Sequence, residues 1–315
     1  MPLVSVETRS LKISFGPNAA EPFEPGLPVI AGLETEDIFG DAQPAGQAGV
    51  LTLFRTEGWL LGAASVPLNT TLNSATHGLY REIFEASAGW FLARICNYVP
   101  AINQLGPTGL ENYQSFCQGR SLAFEEHYGS RFSALLPSAS AVGTKSSALT
   151  VAFAACPTPP RHVENPLQLP AYHYPSEYGP RAPSFARATI VPGTERDMVF
   201  ISGTAAIRGH ATVAPKKLLP QVECTLENLR EISMTCGLGR DLGRDRDRIR
   251  HFKVYVRNME DQPTIASLLE EKFFLPTDQV SYLHADICRS QLQLEIEATL
   301  SLSPHQSGPK NQPSQ

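Results

Sequence analysis

At 315 residues, 42% apolar and 18% charged, the chain is long enough for two ordinary domains with packed cores and too regular for a disordered protein. A net charge of −5 supplies no basic field for nucleic acid or an anionic membrane, so any anionic ligand must be held by local arginines. The opening MPLVSVETRS lacks a basic region followed by an apolar block and the apolar stretches are strand-length, so neither signal peptide nor membrane span is expected and the protein should be cytoplasmic.

Taken in chain order, the first 45 or so residues hold one short strand (VSVETRSLKISF) and then a Gly/Pro-rich loop. From Val50 to Cys156 the pattern predicts a strand (LLGAASV), a helix (Thr76 to Ala88), a strand (WFLARICNYV), a helix (Glu111 to Tyr128), an extended stretch (LLPSASAVG) and a last strand (ALTVAFAAC). From Met198 to Leu302 the order recurs. It runs MVFISGTAAI, a helix from Gln221 to Cys236 closed by Gly237, IRHFKVYVRN, a helix from Thr264 to Phe274, QVSYLHADICR and QLQLEIEATL. Each copy therefore reads as a mixed β-sheet covered by two helices, an α/β sandwich of about a hundred residues.

Between the copies, Pro157 to Pro183 contains eight prolines, which excludes a helix or a central strand. This connector also carries Tyr172, His173, Tyr174, Tyr178 and Arg181, with Arg187 just beyond it. A rigid, aromatic, arginine-bearing connector suits a binding wall, and a stiff strap over the domain seam is the plainer alternative. The expected division is a scaffold domain over 1–156, the connector over 157–183, a catalytic domain over 184–302 and a disordered tail over 303–315.

Two constellations could carry chemistry. On the closing strand of the second copy, Glu295 and Glu297 share one polar lane with Gln293 and Thr299, while Leu294, Ile296 and Ala298 face the other way. Composition alone favours a solvated sheet face. Aligning LTVAFAA with LQLEIEA, however, sets Ala152 against Glu295 and Ala154 against Glu297, which suggests one active copy and one scaffold copy. On the second helix of the first copy, Tyr113, Cys117 and Arg120 project from one side, and the arginine requires an anion or water. A carboxylate suits its planar fork.

Other features carry less. The six cysteines, Cys96, Cys117, Cys156, Cys224, Cys236 and Cys288, lack metal or disulfide spacing, so reduced thiols are expected. The eight histidines form no ligand pattern, and a reaction without metal or cofactor is favoured. GLGRDLG has the wrong spacing for a dinucleotide loop, and RDLGRDRDRIR reads as a solvated turn.

Read together, HGLYREIF, RICNYVPAIN, GLENYQSFCQGRSLAF, LPSASAVG, HVENPLQLPAYHYPSEYGPRAPSFARAT, FISGTAAIRGH and ADICRSQLQLEIEA resemble the chorismatases over roughly residues 77 to 300. The likeness is to the branch that makes 3-hydroxybenzoate, including bifunctional members that also yield 4-hydroxybenzoate. The second copy alone is similar to YjgF-type imine deaminases through ISGT, VYVRN and LEIEAT. That likeness implies two YjgF-like domains in tandem, but not the deaminase activity, because the carboxylate-clamping arginine of that family is replaced by Tyr282 or a neighbour. The resemblance implies chorismate as substrate, with release of pyruvate. Glu295 would be the proton donor to the enolpyruvyl methylene, and Cys288 the residue that separates hydroxybenzoate formation from hydrolysis.

By motif position Arg120 and Arg181, helped by Tyr113 and Tyr178, are expected to anchor the two substrate carboxylates. Ser202, Gly203 and Thr204 are expected to line the ring, with glycine admitting the ligand. The alternatives are a chorismate hydrolase giving a dihydroxycyclohexadiene carboxylate and a YjgF-type deaminase or binding protein. YjgF-type units close as three-fold rings, so a homotrimer is the expected assembly, with a monomer and others left open.

Overall fold

In the computed structural model of the chain, which describes residues 9–14, 22–37, 39, 40, 42–193, 196–244 and 247–303, the two predicted copies are both present. A short arm precedes them. Its strand β1 (Lys12–Ser14) runs parallel to β3 (Thr35–Asp37), while β2 (Val29–Gly32) crosses to the sheet of the second copy. The first copy comprises β4 (Gln43–Ala48), β5 (Leu51–Thr56), β6 (Trp59–Pro67), α1 (Leu72–Ala86), β7 (Phe91–Pro100), α2 (Asn112–Tyr128), β8 (Ser138–Thr144) and β9 (Ala148–Cys156). Its sheet has the order β4-β5-β6-β9-β7-β8. Thr71 caps α1 by accepting from the Ser74 N–H at 3.3 Å, which starts the helix four residues before the expected Thr76. Glu111 and Gln114 form a reciprocal capping box on α2. Gly119 brings the helices together, since a Cβ there would lie 2.3 Å from the Asn73 carbonyl on α1.

The second copy comprises β10 (Arg161–Val163), β11 (Ala188–Val191), β12 (Asp197–Thr204), the short pair β13 (Ile207–Arg208) and β14 (Ala211–Thr212), α3 (Leu218–Thr235), β15 (Arg248–Val256), α4 (Gln262–Lys272), β16 (Gln279–His284) and β17 (Leu294–Leu302). The sheet order is β10-β11-β12-β17-β15-β16-β2. The proline-rich connector thus contributes an edge strand, where a missing N–H is tolerated. Gly237, at φ 78°, ends α3 in a Schellman motif: its N–H reaches the Met234 carbonyl and the Leu238 N–H reaches Ser233.

Each sheet is buried on both faces. In β7, Ile95 and Val99 pack under α1 and α2, whereas Cys96 and Tyr98 join a core between the two sheets. In the second copy, Phe252, Val254, Leu294 and Ile296 pack under α3 and α4, and Tyr255 turns to the same central layer. The layers are therefore helix, sheet, sheet, helix. The copies match in register. β15 sets Lys253 opposite Glu297 and Tyr255 opposite Glu295, and β7 sets Arg94 opposite Ala154 and Cys96 opposite Ala152. This is the equivalence expected from the alignment of the closing strands.

The polar lane of β17 is not the solvated face that composition alone favours: Glu295 is 4% and Glu297 1% exposed, because that face meets the other sheet. Two expectations change. The arm does not stay with the first half, since β2 pairs with β16 of the second. Arg250, at the end of the charged run, is buried against Asp278 rather than hydrated. The expected tail after Ser303 lies outside the described residues, as does most of the expected first strand. No helix among the described residues is long and apolar enough to cross a membrane.

Candidate active site

A cavity of about 390 Å³ opens where the halves meet, between α2, β8, the connector, the β12–β14 segment and the loop after β16. That volume suits a small molecule. Two edges of the seam are sewn by side chains. The Ala139 N–H donates to the Ser202 hydroxyl at 2.8 Å, and Ser202 in turn donates to the Ala186 carbonyl at 2.6 Å. Asn103 donates to the Ile287 carbonyl at 3.1 Å. Arg257 braces the loop after β16 through the carbonyls of Ile287, Arg289 and Leu292. Cys288 and Arg289 are thereby presented to the cavity on a fixed backbone.

Glu295 lies on the cavity wall, its Oε2 4.0 Å from the Cys288 Sγ. Burial, with the charge of Glu297 adding to it, raises its carboxyl to about 8, against an opposing pull from Arg187. Two residues on, burial would raise Glu297 as well, but Lys253 and Arg94 outweigh it and hold that carboxyl at about 2. One lane therefore presents a neutral acid and a fixed anion at pH 7, the divergence that equips paired carboxyls for different tasks. Burial and the neighbouring Glu295 push the Cys288 thiol up to about 12, so it is an uncharged thiol rather than a nucleophile.

Gly203 acquires a meaning different from the expected one. A Cβ there would fall 1.9 Å from the Glu295 Oε1, so glycine makes room for the acid itself rather than for a ligand alone. Gly203→Ala is expected to swing the Glu295 carboxyl aside and lower turnover about tenfold or more while the fold persists, as a rate assay beside circular dichroism will read.

Arginines also line the cavity. Arg120 is 3% exposed, its guanidinium over the rings of Tyr80 and Phe124, and its Nε and Nη2 have no hydrogen-bond partner among the described residues. A buried guanidinium with free donors is unfavourable until an anion arrives. Tyr113 and Cys117 flank it along α2, as the helical spacing predicts. Arg187 donates to the Leu169 carbonyl and the Tyr174 hydroxyl and keeps Nε free. Arg289 stacks 4.1 Å from the Tyr178 ring centroid and donates to the His210 carbonyl.

The structure thus brings together Tyr113, Arg120, Tyr178, Gly203, Cys288 and Glu295 of the residues singled out from sequence. It does not bring Arg181, which pairs on the surface with Glu125 of α2 and latches the connector down. Ser202 and Thr204 also stay off the wall. The first ties the halves together, and the second donates to the Ser202 carbonyl. Tyr282 is buried beneath the helices of the second half. Arg187, Arg289 and Tyr174 were not assigned to the site from sequence, although they stand inside or beside the aromatic connector and directly after Cys288. The one described group of potential metal ligands, Glu36, Cys96 and Glu297, already surrounds the cationic Lys253 and Arg94.

A duplicated α/β sandwich whose cavity holds a buried carboxyl and several arginines has the make-up of a binding site for a small anion. The comparisons with known proteins narrow this class. Residues 39–155 match the family model described as the N-terminal part of FkbO/Hyg5-like chorismatases. A 3-hydroxybenzoate synthase of Streptomyces hygroscopicus is 36% identical over 249 residues, covering 76% of this chain and 72% of that protein. A chorismatase of the same organism is 37% identical over 254 residues, covering 78% and 73%. A solved chorismatase structure superposes with a TM-score of 0.76 at 30% identity, over 95% of both chains. The chain belongs to the chorismatase family.

Proposed function

We propose that the protein cleaves chorismate to pyruvate and 3-hydroxybenzoate, with Glu295 as the acid. The observation that carries this reading is a carboxyl held neutral by burial on the wall of a cavity that also offers guanidinium donors without hydrogen-bond partners among the described residues. It is supported by a relative named for the same product.

Chorismate is a dianion with an enol ether. Arg120, with Tyr113 beside it, receives one carboxylate. Arg187, close enough to act on the Glu295 charge, receives the enolpyruvyl carboxylate and so places the methylene near the acid. Glu295 gives its proton to that methylene, which becomes a methyl group as the side chain becomes an oxocarbenium ion. The bond between ring carbon and ether oxygen then breaks, and pyruvate leaves with its oxygen as a carbonyl. The oxygen of the neighbouring ring hydroxyl bonds to the vacated carbon as its bond to its original carbon breaks, the proton on the carbon it has joined is lost to the Glu295 carboxylate, and the ring becomes aromatic. The balance closes, because chorismate less pyruvate is a hydroxybenzoate with no water consumed. Cys288 fills the space beside the acid with an uncharged thiol, where a water would divert the reaction to hydrolysis.

Chromatography of the products formed from chorismate tests this reading. The expected outcome is pyruvate and 3-hydroxybenzoate in equal amounts, and Cys288→Ala is expected to change the product ratio more than the rate. A non-aromatic diol as the sole ring product of the native enzyme would refute the assigned role of Cys288.

A further inference from the structure

Behind Glu295, between the two sheets, lies a group of four buried charges drawn from three distant parts of the chain. Glu36 on β3, Arg94 on β7, Lys253 on β15 and Glu297 on β17 are each no more than 3% exposed. The Lys253 Nζ contacts Glu36 and lies 2.5 Å from the Glu297 Oε1. The Arg94 Nη2 lies 2.9 Å from the same Glu297 oxygen and 3.6 Å from Glu36. Tyr255 donates to that oxygen as well, at 2.9 Å, and Lys253 donates to the Tyr98 hydroxyl at 3.2 Å. Two cations and two anions sum to zero. Such clusters contribute little net stability, because desolvation offsets the attraction. Their place in the fold is more telling. Glu297 follows Glu295 by two residues on the same strand face, and Arg94 stands in the first half where Lys253 stands in the second.

We propose that Glu36, Arg94, Lys253 and Glu297 form a positioning cluster that fixes a negative charge behind Glu295 and so keeps the acid protonated, with the arm that carries Glu36 a working part of the site. The proposal deepens the function above and rests on Glu295 being the proton donor. Three groups face Glu295: Glu297 from its own strand, Cys288 from the loop after β16 and Arg187 from the segment before β11. Cys288 is uncharged, so Glu297 is the anion that opposes Arg187. Around Glu297 stand Arg94, Cys96 and Tyr98 of β7, His251, Lys253 and Tyr255 of β15, and Glu36 of the arm. Burial keeps His251 neutral, which leaves the four named residues as the charges that act.

The test is a sign pattern, which a purely structural role does not produce. Glu297→Gln and Glu36→Gln leave surplus positive charge and should release the Glu295 proton at lower pH, by about one to two units for Glu297 and less for Glu36. Lys253→Met leaves surplus negative charge and should move the midpoint the other way. The midpoint is read twice in the full-length protein. Infrared titration follows the carbonyl band that Glu295→Gln removes, and the alkaline limb of kcat/KM with chorismate gives the kinetic value. Should Lys253→Met alone not fold, Glu36→Gln/Lys253→Met carries the same comparison, since its midpoint must lie alkaline of that of Glu36→Gln. Opposite shifts for acidic and basic changes support the cluster's role, whereas shifts of one sign, or none, overturn it. If the infrared midpoints separate as expected but the kinetic limb ignores them, the cluster stands and Glu295 is not the donor.

Discussion

Glu295→Gln is expected to lower kcat for pyruvate release from chorismate by about 10²- to 10⁴-fold, the usual contribution of a positioned general acid. Glutamine keeps the shape and can still donate a weak hydrogen bond, but it cannot surrender a proton to carbon. The same substitution carries a stability signature of known sign. Burial raises the folded carboxyl from 4.5 to about 8, so the native state binds the proton more tightly than the unfolded chain. The stability contributed by that group is present at low pH and is lost as pH rises from about 4.5 to about 8. Glutamine escapes this loss. The melting temperature of the variant should therefore match the native protein near pH 4.5 and exceed it increasingly up to pH 8, by a free energy on the order of a few kcal/mol. Near-native turnover in the variant would place the donor elsewhere, whatever the melting curves show.

Arg120→Met separates binding from folding in a similar way. The guanidinium is buried with two donor atoms unpartnered, so in the empty protein it is a cost. With a carboxylate bound it makes charge-assisted hydrogen bonds that methionine cannot replace. Loss of a bidentate pair costs about 2–4 kcal/mol, or roughly 30- to 1000-fold in kcat/KM. The expected outcome is thus a large loss of kcat/KM with a melting temperature equal to or above the native value. Steady-state kinetics beside differential scanning calorimetry checks both halves. A variant that is destabilised yet keeps its kcat/KM would show that Arg120 only packs against Tyr80 and Phe124.

Much of the fold was legible because it is periodic. Alternation over ALTVAFAAC and QLQLEIEATL, and the helix stop at Gly237, depend on neighbours in sequence; the first strand and the helix stop reappear where expected, and the last strand begins three residues late, at Leu294. The hairpin of β4 and β5 was not legible. Its first strand, QPAGQA, has no apolar alternation and holds a proline and a glycine, and its pairing depends on the partner strand. The crossing of β2 to the far sheet was hidden for a similar reason, since a four-residue strand carries too little pattern to name its partner.

The site divides along the same line. Tyr113, Cys117 and Arg120 share one helix face and could be grouped from spacing, and all three reach the cavity. Glu295 and Glu297 could be paired on one lane, but not told apart. What makes one neutral and the other charged are Lys253, Arg94 and Glu36, brought in from other elements. Arg181 misled because a motif position does not say which way a side chain turns, and Glu125 on α2 claims it.

The pH profile of kcat/KM for pyruvate release is the most direct test that a protonated Glu295 drives the reaction. A plateau below about pH 8, followed by a tenfold fall for each further unit, is the predicted result. A profile that stays level through pH 10 would contradict it.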